Sequence, residues 1–147
     1  MKRIIPLALM AVSACCFAAS GQIAKSATPN NVTIVAGGTG MSQFSALSGD
    51  FPSGTSLKTK TLVGIDYKTT SYPNNTGEQV QLCYYKPYNA NPYGCTTIQP
   101  NANGTINTYN NVDFGPGAKV IINHLLQGGT QPGRPAGQDS VTLRYTY

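Results

Sequence analysis

Few residues of this chain could do chemistry. Its 147 residues hold one His (His124), one Glu (Glu78) and four Asp (Asp50, Asp66, Asp113, Asp139). A nucleophilic Ser or Thr needs a base to take its proton, and His124 is the one imidazole on offer. It falls in the strand-like run from Lys119 to Leu126, on the same face as Val120 and Ile122, which reads as a structural or edge-strand histidine. The Asp residues lie in separate segments, so the spacing writes no carboxylate pair for acid–base work. A zinc site needs more ligands than two Cys and a distant His. Gly37-Gly38-Thr39-Gly40 lacks the Lys-Ser/Thr and the following helix of a phosphate cradle. The sequence therefore points away from an enzyme, a cofactor or a metal centre.

Two other groups of residues carry more. Cys83 and Cys95 stand twelve apart with turn residues between them, which in an oxidising compartment reads as one disulfide. Closing a loop of that size stabilises by roughly 3 kcal/mol in the chain-entropy model. Between and beside the two Cys crowd Tyr84, Tyr85, Tyr88 and Tyr93. Tyr84 falls on the apolar face of its strand. Tyr85, Tyr88 and Tyr93 are candidates for a contact loop, since tyrosine offers rigid area with a polar tip. The alternative is that they pack along a bridged hairpin.

The compartment follows from the first twenty residues. Met1-Lys2-Arg3 is a short basic start, an apolar run continues to Phe17, and Ala18, Ala19 and Ser20 follow. That order is a secretory signal peptide over residues 1–20, with cleavage after Ala18 or Ser20. The run is shorter than the roughly 20 residues of a membrane span, so no span is expected after cleavage. Val12-Ser13-Ala14-Cys15 resembles a lipoprotein box, the less favoured reading, because the apolar run continues past Cys15. Lys plus Arg outnumber Asp plus Glu by 10 to 5, and by 8 to 5 once Lys2 and Arg3 are set aside. That surplus is too small and scattered for a nucleic-acid surface.

The elements that position these residues read as strands throughout. Residues 21–31 are polar and are expected to be flexible, and residues 32–147 to form one domain. Val32 to Ala36 is a short β-branched run, and Met41 to Gly54 looks like loop, with a short edge strand as the alternative. Leu57 to Tyr67 alternates with Val63 and Ile65 facing inward and Lys58, Lys60 and Asp66 outward, with Gly64 marking a bulge or a close approach. Val80, Leu82 and Tyr84 share a face, as do Val141, Leu143 and Tyr145. Asn103-Gly104 is a hairpin-turn dipeptide. Six to eight short strands at this spacing indicate an all-β fold, a small antiparallel β-sandwich with one disulfide.

From about Thr61 onward the chain resembles the flagellar protein FlhE family. The likeness is carried by Ile65-Asp66-Tyr67, Val80-Gln81-Leu82-Cys83, Cys95 with its strand, Gly104-Thr105, the apolar strand from Lys119 to Leu126, and Ser140-Val141-Thr142-Leu143-Arg144-Tyr145. The chain departs from the family in a longer Tyr/Pro-rich loop between the Cys residues, an expanded tail loop and the lack of Trp, as a divergent member would. The resemblance implies a non-catalytic, exported periplasmic protein that acts in flagellum assembly or motility by binding a protein partner in the cell envelope. The competing class is a pilus-type subunit, in which Val32, Ile34 and Ala36 would form a donor strand for a neighbour's sheet.

Overall fold

The computed structural model describes residues 18–147. The signal peptide, apart from its last three residues, and the lipoprotein box at Cys15 lie outside the described residues. The remainder is all-β apart from one 3-10 turn at Ser48–Asp50. Eight strands have four residues or more: β1 Ser20–Ala27, β2 Gly38–Ser45, β3 Lys60–Lys68, β5 Gln79–Tyr85, β6 Gly94–Ile98, β7 Asn103–Ile106, β9 Lys119–Leu126 and β11 Asp139–Thr146. Three two-residue strands complete the count: β4 Asn75–Thr76, β8 Asp113–Phe114 and β10 Gly128–Gly129.

Two antiparallel sheets face each other. One has the order β1-β11-β3-β7 with β8 also on β3, and the other the order β2-β9-β5-β6. Alternation decides which side of each strand is buried. Val80, Leu82 and Tyr84 of β5, Val120 and Ile122 of β9, and Val141, Leu143 and Tyr145 of β11 meet in one core. A smaller cluster of Val32, Val35, Tyr72 and Leu126 closes one end. Cys83 and Cys95 are directly opposed across β5 and β6 and bonded to each other, as their spacing suggested.

Several local expectations give way to tertiary context. Ser20–Ala27 pairs with β11 along its whole length, so residues 21–27 are strand rather than a flexible lead. Only Ile23 of β1 is buried, and main-chain pairing carries the rest, which is why its polar sequence concealed it. Val32 makes a single bridge to Gly133 and the stretch to Ala36 forms no strand, with Ile34 exposed. Within this one chain the segment is therefore not a strand of either sheet.

In β3 the pairing with β11 slips: Arg144 faces Gly64 but Tyr145 faces Leu62. Val63 is the extra residue of a bulge, so the inward face changes phase there. Ile65 stays in the core, Val63 is only half-buried, and Lys60 and Leu62 turn inward instead. The β6–β7 turn falls at Pro100-Asn101, with Asn101 at φ 50°, while Asn103 and Gly104 belong to β7.

Candidate functional site

Two places bring polar or aromatic residues together, at opposite ends of the sandwich. At the end closed by the small cluster, His124 of β9 is fully buried. Its Nδ1 lies 2.7 Å from Glu78 Oε1, just ahead of β5, and its Nε2 lies 3.0 Å from Asp139 Oδ2 at the start of β11. Ser42 of β2 donates to the same Asp139 oxygen at 2.5 Å, and the Thr70 N–H donates to Asp139 Oδ1 at 2.8 Å. The Tyr72 N–H donates to Glu78 Oε2, and the Tyr72 hydroxyl donates to the Asn30 carbonyl at 2.6 Å. Gly40 of β2 is required here, because a Cβ would run into the Tyr72 hydroxyl.

Burial alone would pull the His124 imidazole down, but hydrogen bonds and charge from Asp139 and Glu78 outweigh it and push it up to about 9. Burial, with Asp139 and Glu78 nearby, holds the Tyr72 phenol well above its ordinary value. The cluster is thus an imidazolium clamped between two carboxylates, stitching β9 and β2 of one sheet to β11 of the other. Both ring nitrogens are engaged, and the Ser42 hydroxyl is turned to Asp139, so no base nitrogen faces it. Among the described residues no group of three His, Cys, Asp or Glu is arranged to hold a metal ion. What the arrangement does chemically is bind its own chain together. The spacing hid it, since Glu78 and Asp139 come from distant segments. The one available signal was the inward alternation of Gly40, Ser42, Phe44 and Ala46, across the glycine-rich turn and the following stretch, which reads as loop or a short edge strand.

The other end is formed by the segments 46–59, 86–93 and 110–118. Of the three expected contact tyrosines, Tyr88 is 86% exposed and Tyr93 51% exposed, whereas Tyr85 is half-buried on the outer sheet face under Lys119, 4.7 Å from its ring centroid. The Tyr93 ring stands edge-on to Tyr109, with Lys86 Nζ 4.5 Å above it. Only Tyr88 lines the groove at this end, about 410 Å³ in volume, together with Leu57, Lys58, Lys60, Pro87 and Phe114. The three therefore do not form one patch. Tyr84 is core, as its strand face required, with its hydroxyl donating to the Asp113 carbonyl.

Tyr88 is held outward by its backbone. Its φ is +56°, a conformation that costs a non-glycine residue about 1–3 kcal/mol. Gly117, at φ +86°, lies beneath the ring where a Cβ would press into it. Lys60 was expected to face solvent, and the structure buries it at the groove floor. Its ammonium donates to the carbonyls of Thr55 and Lys58 and lies 4.8 Å from the Phe51 ring centroid. Burial, with Lys58 close by, pulls it below its ordinary value.

The chain matches no protein-family model and no curated protein sequence. Among solved structures, the crystal structure of FlhE superposes with a TM-score of 0.59 at 16% identity, over 88% of this chain and 100% of that one. The chain has the fold of FlhE. Turnip yellow mosaic virus (TM-score 0.42, 11% identity, 99% of this chain and 89% of that one) and Desmodium yellow mottle tymovirus (0.40, 9%, 99% and 90%) are more distant. The FlhE likeness covers 88% of this chain, more than the stretch from Thr61 onward. No helix among the described residues is long and apolar enough to cross a membrane.

Proposed function

We propose that this protein is a non-catalytic, exported periplasmic protein that acts in flagellum assembly or motility by binding a protein partner in the cell envelope. The observation that carries the reading is the FlhE fold, which takes in the whole of the FlhE chain. The residues that suggested the flagellar family, from Ile65-Asp66-Tyr67 to the terminal strand, lie on the strands that make up this fold. The partner-binding part is supported by the end of the sandwich that carries Tyr88 and Leu57 in water, since exposed apolar clusters of this kind mark contact surfaces. The non-catalytic part is supported by the buried His124, whose two ring nitrogens are both taken up by Glu78 and the buried Asp139. Cleavage after Ala18 would leave the paired backbone from Ala19 onward intact.

The test is a deletion of the gene in the source bacterium, with flagella counted by electron microscopy and swimming measured in soft agar. The expected result is a defect in one or both, restored by the intact gene. Normal flagella and swimming, with surface fibres missing instead, would overturn the reading in favour of the pilus class.

A further inference from the structure

We propose that the groove beside Tyr88 docks an acidic segment of a partner protein, one in which Asp or Glu stands next to an aromatic or aliphatic residue. This rests on the reading that this end of the molecule binds a protein, and it specifies the chemistry of what binds.

The apolar half of the argument is the distribution of exposed side chains. Among the described residues six large hydrophobics are exposed, and four of them, Leu47, Leu57, Tyr88 and Tyr93, lie at this end. Leu57 is 99% exposed, and it lines the groove together with Tyr88. The left-handed backbone of Tyr88 and the bare Gly117 beneath it hold the ring beside the groove before anything binds. The loop that carries Tyr88 is closed at its base by the Cys83–Cys95 bond, which reduces the ordering entropy lost on docking.

The charged half comes from pairing. Each Asp and Glu side chain has a cationic neighbour: Asp50 with Lys25, Asp66 with Arg144, Glu78 and Asp139 with His124, and the exposed Asp113 with Lys86 at 3.9 Å. Lys58 and Lys119, at the groove end, have no carboxylate partner among the described residues and lie over the rings of Tyr147 and Tyr85. Lys60, on the floor, spends two of its three N–H donors on carbonyls and lies over the rings of Phe51 and Tyr147, with no carboxylate partner among the described residues. A buried ammonium without a counter-charge is the site a carboxylate would relieve. The groove itself is lined by Lys58, Lys60 and Asp113, with Lys86 paired to Asp113 beside it and Lys119 nearby on the outer sheet face, so positive charge is in excess at this end.

The test pans a random dodecapeptide display library on the full chain purified from the periplasm. Enriched peptides are then synthesised and titrated by calorimetry. Enriched peptides should carry Asp or Glu beside Tyr, Phe or Leu. Their dissociation constants should rise about tenfold or more with Tyr88→Ser and with Lys58→Glu plus Lys86→Glu. They should stay unchanged with Arg134→Glu at the opposite end. All substituted positions lie at the surface, and an unchanged thermal midpoint confirms that each variant is folded. Enriched peptides lacking acids, no enrichment, affinity indifferent to these substitutions, or binding only to phosphatidylglycerol vesicles would each overturn the inference. The peptide result does not depend on whether the partner is flagellar, so the deletion strain can fail while this inference stands, and the reverse.

Discussion

The buried imidazolium makes a quantitative statement about stability and pH. His124 titrates at about 9 in the folded chain against an ordinary 6.5. The folded state binds this proton more tightly, so its stabilisation is complete below pH 6.5 and is lost as the pH rises through 9. The gap is worth about 1.4 kcal/mol per unit, or roughly 3 kcal/mol between pH 6 and pH 9.5. At about 3–5 °C per kcal/mol for a domain of this size, the thermal midpoint should fall by roughly 10 °C across that range. The assay is thermal unfolding by circular dichroism in matched buffers, for the untagged protein and for His124→Gln. The variant should be less stable at pH 6 and should lack that part of the slope. Because His124 is the one histidine, its ring protons give an NMR titration free of overlap. A folded-state midpoint below pH 7, or an equal pH slope in the folded variant, would refute the reasoning.

Three further outcomes follow from single contacts. Asp139→Asn keeps one acceptor oxygen for the Thr70 N–H but removes the charge and turns an NH2 toward His124 Nε2 and the Ser42 hydroxyl, and should cost about 3–5 kcal/mol in urea unfolding. Tyr72→Phe removes one part-buried hydrogen bond to the Asn30 carbonyl, and the same measurement should show a loss of about 1 kcal/mol. Tyr88→Ser should leave the thermal midpoint within about 2 °C of the parent, since the ring is exposed, whereas a fall of several degrees would make it a core residue.

What the sequence determined by itself was the frame. In β5, β9 and β11 nearly every inward position is apolar, and a strand with one buried face has a single register that satisfies it. The disulfide was legible too, because two Cys on adjoining strands of one hairpin meet once the turn closes. Tertiary structure decided whatever depends on partners far along the chain. Gly40 and Ser42 of β2 look like loop residues because what they contact is Tyr72 and Asp139, neither of which is nearby in sequence. Lys60 and Val63 exchange faces because a bulge opposite Arg144 and Tyr145 changes the phase of β3, and local alternation carries no record of the opposing strand. The clamp around His124 is the clearest case. Periodicity says which side of a strand is buried, and only the crossing of strands from both sheets brings Glu78 and Asp139 to the two nitrogens of one ring.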